Sequence, residues 1–152
     1  MTLFLVYVFY KDGNNQKPDF SIHIKEGDKM DRIAVISPSP SKSIRLCRQM
    51  ARCLAGMGYF PLLEIPEDLE AFYYAMRASP PDGILLVMDG IAGLNTSEHL
   101  RHLGPDCTMI WCCDLDFSLQ AYRLRVDYFI QGNPTEESLR QGILCWQDRQ
   151  KL

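Results

Sequence analysis

The chain has 152 residues, of which 47% are hydrophobic, and its formal net charge is −3. This length suits one domain, or one domain with an appendage, and the apolar content is sufficient for a buried core. With 16 Lys and Arg against 19 Asp and Glu, the sequence lacks the strongly basic surface of typical nucleic-acid-binding domains, so we expect no direct nucleic-acid partner. The opening apolar run, residues 2–10, is too short to span a bilayer and lacks the basic start and cleavage site of a signal peptide. The sequence therefore predicts a soluble, cytoplasmic protein with no membrane partner.

The first thirty residues have the pattern of a strand, a turn and a second strand. Residues 2–10 and 20–24 flank the segment KDGNNQKP, which is rich in residues that favour turns. This pattern predicts an N-terminal hairpin that covers a sheet edge or presents aromatic side chains to a partner. A second interpretation stays open: codons for residues 25–29 can contain a purine-rich ribosome-binding sequence, and translation would then start at Met30. We therefore divide the chain into an extension, 1–29, and a regular domain, 30–152, with no output or DNA-binding domain.

From residue 31 onward, strand-like apolar runs alternate with amphipathic helical segments. The predicted strands are 32–36, 59–65, 83–88, 108–113 and 126–130. The predicted helices are 43–57, a segment opened by Pro66, 95–103, 116–124 and a segment that begins at 133–136. The run GILLVM at 83–88 is apolar throughout, which is typical of a central parallel strand covered on both faces. Five such units without an internal repeat predict a doubly wound α/β fold of the flavodoxin-like type, with a parallel sheet in the order 2-1-3-4-5.

Residue patterns at the helix ends predict where several helices begin. Ser41 or Ser43 is the expected cap of the first helix, and Pro66 is expected in the first turn of the second. In the last helix, Asn133 is the expected cap and Glu136 the expected partner in a capping box. The buried face of that helix is predicted to consist of Leu139, Ile143, Leu144 and Trp146.

The six cysteines lie in apolar runs, without a CxxC pair or the spacing of a disulfide framework. Free cysteine packs as a small hydrophobic residue, so we expect buried thiols in a reducing compartment. His99, His102 and Cys107 are the nearest approach to a set of metal ligands, but their spacing is loose and a fourth ligand is not evident. We therefore predict no metal site and no cofactor. The cysteines are Cys47, Cys53, Cys107, Cys112, Cys113 and Cys145.

Two segments carry a resemblance to a known family: PDGILLVMD at 81–89, and DFSLQAYRLRVDYFIQGNPTEESLRQGI at 116–143. The second is similar to the family's run through a fourth helix, an Asp-Tyr fifth strand and a Ser/Thr-capped fifth helix. On these segments, residues 31–152 resemble a response-regulator receiver (CheY-like) domain, and most of all the receivers that precede LytTR-type DNA-binding domains. The resemblance implies the receiver fold and a role in two-component, phosphorelay signal transduction.

The family's phosphorylation chemistry requires carboxylates that this sequence lacks. In receivers, an acidic pair after the first strand and an aspartate that ends the third strand hold Mg²⁺, and that aspartate attacks the phosphoryl group. The resemblance places the acidic pair on the stretch from Ser37 to Ser39 and, counted from Asp82, the phosphoacceptor on Val87. Valine is not a nucleophile, and hydroxyl groups hold Mg²⁺ poorly because this ion prefers carboxylate oxygens and water. The resemblance therefore implies a degenerate phosphorylation pocket in which Mg²⁺ binding is weak or absent.

The other pocket positions depart from the family as well. The Ser or Thr that contacts the phosphoryl group falls on Cys112 or Cys113, and the lysine falls on Gln131. One alternative stays open at the third strand. Asp89 lies two residues beyond Val87, hence on the same strand face, so the chain could be a weakly phosphorylatable receiver that uses Asp89.

The stretch SPSPSKS at 37–43 allows a further alternative. Serine hydroxyls, Lys42 and a helix N-terminus can together hold a phosphate-like group, which would make the chain a small-anion or nucleotide sensor. Helix capping, with prolines that stiffen the turn, explains the same residues. We do not expect an enzyme, because a nucleophile–base pair is not evident and His99 and His102 both fall on the predicted third helix.

The resemblance also implies a surface for protein contacts. Receivers signal through the face formed by the fourth helix, the fifth strand and the fifth helix, which here carries Tyr122, Arg123, Arg125 and Tyr128. Aromatic residues and arginine are frequent anchors of protein interfaces. We therefore expect a phosphorylation-independent interaction or dimerisation module, whose partner is another receiver, a response regulator or a second copy of the chain. An ordinary solvated face, with Tyr128 partly in the core, is the other interpretation.

Overall fold

The computed structural model describes residues 5–7 and 31–150. These residues form six strands and five helices. The strands are β1 (Leu5–Tyr7), β2 (Arg32–Ile36), β3 (Leu62–Ile65), β4 (Gly83–Val87), β5 (Thr108–Cys113) and β6 (Tyr128–Gln131). The helices are α1 (Pro40–Gly56), α2 (Leu69–Ala78), α3 (Gly90–Leu103), α4 (Ser118–Arg123) and α5 (Glu136–Gln150).

The strands belong to one sheet in the order β1-β3-β2-β4-β5-β6. Strands β2 to β6 run parallel, whereas β1 pairs antiparallel with β3 and places Tyr7 opposite Leu63. The five βα units therefore have the order 2-1-3-4-5, which confirms the predicted doubly wound α/β fold. The second strand of the predicted hairpin, 20–24, and the alternative start at Met30 lie outside the described residues.

Helices cover both faces of the sheet. Helices α1 and α5 pack on one face, and α2, α3 and α4 pack on the other. Strand β4 is buried over its whole length, as its uninterrupted apolar sequence predicts. At its first residue, Gly83, an added Cβ atom would overlap Cζ2 of Trp146, so the close approach of α5 requires glycine at this position.

Helix α1 begins at Pro40 rather than at residue 43, and the prediction that Ser41 or Ser43 caps it is wrong. The cap is Ser39, whose extended backbone lets its Oγ accept a hydrogen bond from the Lys42 N–H at 3.3 Å. Pro40 then occupies the first helical position, where its fixed φ fits the helix and its missing N–H leaves no hydrogen bond unmade.

The second unit has shorter elements than its sequence predicts. Tyr59 does not begin β3, because its N–H donates to the Leu54 carbonyl at 2.9 Å and so belongs to the turn that ends α1. Pro66 does not open α2. The cap of that helix is Asp68, whose carboxylate accepts from the Glu70 N–H at 3.1 Å.

The start of α5 is capped by Thr135 and Ser138, as the Ser/Thr-capped fifth helix of the resemblance implies, and the prediction of Asn133 and Glu136 is wrong. Thr135 Oγ1 accepts from the Ser138 N–H at 3.1 Å, and Ser138 Oγ accepts from the Thr135 N–H at 2.8 Å. These two residues form the reciprocal capping pair that was expected of Asn133 and Glu136. On the buried face, Leu144 is a wrong prediction because it is 41% exposed, whereas three predicted residues are buried: Leu139, Ile143 and Trp146.

The third and fourth helices also differ from the prediction. Helix α3 begins at Gly90 rather than at residue 95, and its first turn gives no apolar periodicity because it contains small residues and the exposed Ile91. Helix α4 begins at Ser118 and strand β6 at Tyr128, each two residues later than the predicted segments 116–124 and 126–130.

Five of the six cysteines are buried, as predicted, but Cys145 is exposed on the outer side of α5. The error has the same origin as that at Leu144, since both residues follow buried Ile143 in an apolar run and lie on the opposite side of the helix. Within the described ranges, no helix combines the length and the apolar character that a membrane span needs.

Candidate functional site at the carboxyl ends of the strands

The structure brings the predicted pocket positions to one edge of the sheet. Ser37 follows β2, Val87 ends β4 and Gln131 ends β6, and the carboxyl ends of parallel strands lie on the same side. The strand register places Val87 beside Cys112 and Cys113 beside Gln131. This edge is therefore where any chemistry of the receiver type would take place.

The serine hydroxyls at this edge are occupied by contacts within the chain. Ser37 Oγ donates to the Ser39 carbonyl at 2.9 Å and lies 2.6 Å from Ser43 Oγ. Because Ser37 has one hydroxyl hydrogen, the Ser43 hydroxyl is the donor in the second contact. Ser39 Oγ accepts from the Lys42 N–H. These bonds hold the start of α1 against the end of β2, which is a structural use of the hydroxyls.

Val87, on which the resemblance places the phosphoacceptor, is 1% exposed. Its side chain packs in the core layer beneath α1 and α5, together with Val35 and Cys112. It has no atom that can attack phosphorus or bind a metal ion. The end of β4 is thus a packing position.

The two cysteines that end β5 face opposite sides of the sheet. Cys112 is buried beside Val87, and burial raises the pKa of its thiol to about 12, although the nearby Lys42 ammonium opposes the shift. Cys113 lies on the other side, 3.5 Å from Asp114 Oδ1, and burial raises the pKa of this thiol as well. Both groups remain protonated at neutral pH, so neither supplies a thiolate nucleophile.

Asp89 belongs to the loop beyond β4 and is paired with a residue that the sequence did not single out, Asp114. Asp89 Oδ1 accepts from the Asp114 N–H at 3.1 Å, and Asp114 Oδ1 accepts from the Gly90 N–H at 2.8 Å. That second hydrogen bond holds the pKa of Asp114 below its usual range. The position of Asp114, directly after a buried strand in the segment DLD, is the signal that could have found it.

The remaining groups do not complete a metal or phosphate site. Gln131, on which the resemblance places the receiver lysine, is exposed, and its Nε2 donates to the Asp114 carbonyl at 3.4 Å. In the part of the chain that the structure describes, no group of three His, Cys, Asp or Glu side chains has an arrangement that could hold a metal ion. His99 stacks edge-on against Tyr73 instead, with ring centroids 4.3 Å apart.

The predicted interaction residues lie on α4, in the turn that follows it and at the start of β6. We call Tyr122, Arg123, Arg125 and Tyr128 the α4–β6–α5 face. Tyr122 is 81% exposed, the two arginines are exposed, and Arg125 has a positive φ of 55°. Tyr128 is half-buried and packs beneath α5, so it contributes to the core as well as to the surface.

One exposed leucine enlarges this face beyond the predicted residues. Leu119 lies one helical turn before Tyr122 and is 55% exposed. The sequence assigned Leu119 to an amphipathic helix with a buried side, but α4 is a helix of six residues that buries only Ala121. A short helix of this kind leaves its apolar side chains in solvent.

None of the protein-family models compared with this sequence matches it, and none of the curated proteins does. Solved structures do match. The orphan response regulator HP1043 of H. pylori has 17% identity and a TM-score of 0.53, over 80% of this chain and 96% of that one. A CheY-like receiver domain protein from Methanospirillum hungatei JF-1 has 16% identity and a TM-score of 0.58, over 81% of this chain and 98% of that one.

A third match is the C-terminal part of E. coli RcsC, which contains a linker region and a phosphoreceiver domain. It has 18% identity and a TM-score of 0.57, and the match covers 93% of this chain but 55% of that one. Sequence identities this low show a shared architecture and leave the activity open. The chain has the fold of response-regulator receiver domains.

Proposed function

We propose that this chain contains a degenerate receiver domain of two-component signalling, which acts in the cytoplasm through protein contacts and without phosphorylation. The observation that carries the proposal is Val87, a buried residue without a nucleophilic atom at the carboxyl end of β4. The domain extends over 30–152, and residues 1–29 are an extension to it.

The electrostatics of the strand ends support this proposal. A transferring phosphoryl group needs a metal ion held by carboxylates and a cation near its oxygens. Ser37 and Ser39 use their hydroxyls to secure α1, and Gln131 is neutral. The same hydroxyl contacts argue against an anion-sensing role, because an anion would have to compete with bonds that fix the start of a helix.

A second candidate is a weakly phosphorylatable receiver that uses Asp89. Its support is that Asp89 is exposed at this edge and lies beside a second carboxylate, Asp114. Two observations argue against it. Asp89 Oδ1 already accepts a hydrogen bond from the Asp114 N–H, and the neutral Gln131 lies at the position that the resemblance assigns to the receiver lysine.

One experiment distinguishes the two candidates. The full chain is incubated with Mg²⁺ and acetyl phosphate beside a phosphorylatable receiver, and the intact masses are measured. We expect no phosphoryl adduct on this chain while the control receiver gains one. An adduct that disappears in Asp89→Ala but persists in Asp114→Ala would contradict the proposal and assign the activity to Asp89.

The interaction role has its own test, on the α4–β6–α5 face. Leu119 and Tyr122 present apolar and aromatic surface one helical turn apart, and the flanking arginines provide polar anchors. We expect the chain to form a dimer through this face, with a mass that rises with protein concentration in sedimentation equilibrium.

The chain supplies a matched pair of variants for that measurement. Tyr122→Asp on α4 is expected to abolish self-association, whereas Tyr74→Asp on α2 lies outside the face and is expected to leave it unchanged. The two variants are matched because the tyrosines are 81% and 78% exposed. A monomeric mass at every concentration would contradict the homodimer, and equal effects of the two variants would contradict its location.

A further inference from the structure

Helix α1 is the most basic element among the described residues. It carries Lys42, Arg45, Arg48 and Arg52 and not one acidic residue, so its side chains contribute a charge of +4. The whole chain has a net charge of −3, and all other residues together therefore carry −7. A quarter of the 16 basic residues are thus concentrated on one helix of an acidic chain.

The four cations form a stripe on the outer side of α1. Their spacing of three, three and four residues keeps them on one face, and the stripe is about 15 Å long at the rise of an α-helix. Arg45, Arg48 and Arg52 are exposed, and Lys42 is half-buried at the end nearest the strand ends. The opposite side of the helix is fixed in the core by buried residues such as Leu46, Cys47, Met50 and Leu54.

The stripe is not neutralised by carboxylates in the described part of the chain. The ion pairs found there are Arg32–Glu64, Arg140–Glu136 and Arg149–Asp127, none of which includes a residue of α1. Like charges three and four residues apart repel each other along a helix, and Lys42 lies in the first turn, where the helix dipole also disfavours a cation. The arrangement opposes the stability of α1, and a partner that brings negative charge would supply the compensating interaction that the described residues do not.

The surroundings of the stripe favour a protein partner over a nucleic acid. Helix α5 lies against the second half of α1, and the Cys53 thiol there contacts the Glu136 carbonyl at 3.8 Å. The first turn of α5 carries the exposed carboxylates of Glu136 and Glu137. A phosphate backbone that continued past the stripe would meet these carboxylates and be repelled, whereas a short acidic segment of a protein would end before them.

We propose that the α1 stripe is a docking surface for an acidic segment of another protein, in which several Asp or Glu side chains pair with Lys42, Arg45, Arg48 and Arg52. This surface is distinct from the α4–β6–α5 face, because α1 and α4 cover opposite faces of the sheet. Docking here requires neither phosphorylation nor a dimer, so its failure would leave the proposed function untouched.

The test uses the full chain and a fluorescein-labelled pentaglutamate peptide, whose extended length of about 16 Å matches the stripe. Binding is measured by fluorescence anisotropy at low ionic strength. We expect saturable binding that weakens as salt is added. Arg48→Glu is expected to weaken it about tenfold, because a repulsive contact replaces an attractive one. The matched control is Arg77→Glu, an equal charge change at an exposed arginine of α2, and it is expected to change binding by less than about twofold. Circular dichroism of both variants checks that each is folded.

Three results would overturn the proposal. Absence of saturable binding at low ionic strength would show that the stripe does not recognise acidic segments. Equal weakening by Arg48→Glu and Arg77→Glu would show that the peptide responds to overall charge rather than to α1. Tighter binding of a short duplex DNA, lost in Arg48→Glu, would assign the surface to nucleic acid instead.

Discussion

The two edges of the sheet differ in how their polar groups are used. At the amino ends of the strands, Asp82 accepts from the Arg32 N–H at 2.8 Å, and Asp127 accepts from the Met109 N–H at 2.7 Å. Each of these aspartates directly precedes one strand and ties it to a neighbouring strand. At the carboxyl ends of the strands, the side chains carry no charge, and the carboxylates Asp89 and Asp114 lie in exposed loops. The uncharged residues are Ser37, Val87, Cys112, Cys113 and Gln131.

Charged groups at the amino edge are also more deeply buried. Arg32 pairs with Glu64 at 2.8 Å, and the Glu64 side chain is 6% exposed. Arg149 pairs with Asp127 at 3.1 Å, and the Asp127 side chain is likewise 6% exposed. These groups connect strands to one another and to α5. The polar contacts that join strands to one another and to α5 are thus more deeply buried at the amino edge than at the carboxyl edge, so we expect substitutions at the amino edge to cost the fold more stability.

The Arg101 side chain makes five hydrogen bonds near the amino edge, so we expect its removal to have the greatest effect on stability. Its buried guanidinium donates to the carbonyl oxygens of five residues, which are Gly104, Pro105, Cys107, Leu124 and Arg125. Arg101→Met preserves much of the side-chain volume but leaves several of these carbonyls buried and unpaired. We expect a loss of about 3 kcal/mol in the free energy of unfolding, measured by urea denaturation.

The matched control for this substitution is Arg77→Met. Arg77 is exposed in the last turn of α2, and its replacement is expected to change the free energy of unfolding by less than about 0.5 kcal/mol. Arg101 also holds the connection between α4 and β6, including Arg125 with its positive φ. Self-association through the α4–β6–α5 face should therefore weaken in Arg101→Met. Equal stabilities of the two variants would show that the guanidinium contacts do not stabilise the fold.

The Arg101 network was not predictable from the sequence. A charged residue next to Leu100 on a helix is typical of a solvated face. All five of the carbonyls that accept from Arg101 belong to irregular connections, the farthest of them 24 residues along the chain. The strands were predictable, because a run such as GILLV at β4 has one stable location, the middle of a covered parallel sheet. Local patterns thus predicted the layers, whereas the contacts that lock the layers together depend on distant residues.

The same distinction applies to the candidate site. Counting along the strands brought Val87, Cys112 and Gln131 to one edge, because parallel strands align their carboxyl ends. The sequence did not predict that Asp89 and Asp114 bond to each other's loops, since this depends on the path of two connections. The error at the start of α1 has a similar cause: Ser39, Ser41 and Ser43 are all competent caps, and only the position of Pro40 in the first turn selects Ser39.

Asp127→Asn should have an intermediate effect. Asparagine keeps an oxygen that can accept from the Met109 N–H, but it loses the charge that pairs with Arg149. We expect a loss of about 1–2 kcal/mol in the free energy of unfolding, after allowance for the partial exposure of Arg149 to solvent. Asp148→Asn, an exposed carboxylate on α5, is the control and should have little effect. If the two variants lose stability equally, the ion pair of Asp127 does not contribute to the amino edge.

Asp114→Asn tests the carboxyl edge and should have the smallest effect, because both the carboxylate and its hydrogen bond are open to solvent. The hydrogen bond from the Gly90 N–H lowers the pKa of Asp114 in the folded state. The charged form therefore stabilises the fold above the pKa of an unfolded aspartate, and this contribution is lost as the pH falls through the lower, folded pKa. The stability difference between wild type and Asp114→Asn should thus be constant from neutral pH down to about pH 5 and shrink below about pH 4.

Glu98→Gln, an exposed carboxylate of α3, serves as the control in the same series of urea titrations. A difference that grows on acidification, or one as large as that of Asp127→Asn, would contradict the contrast between the two edges, because it would show that the carboxyl edge also holds the fold together.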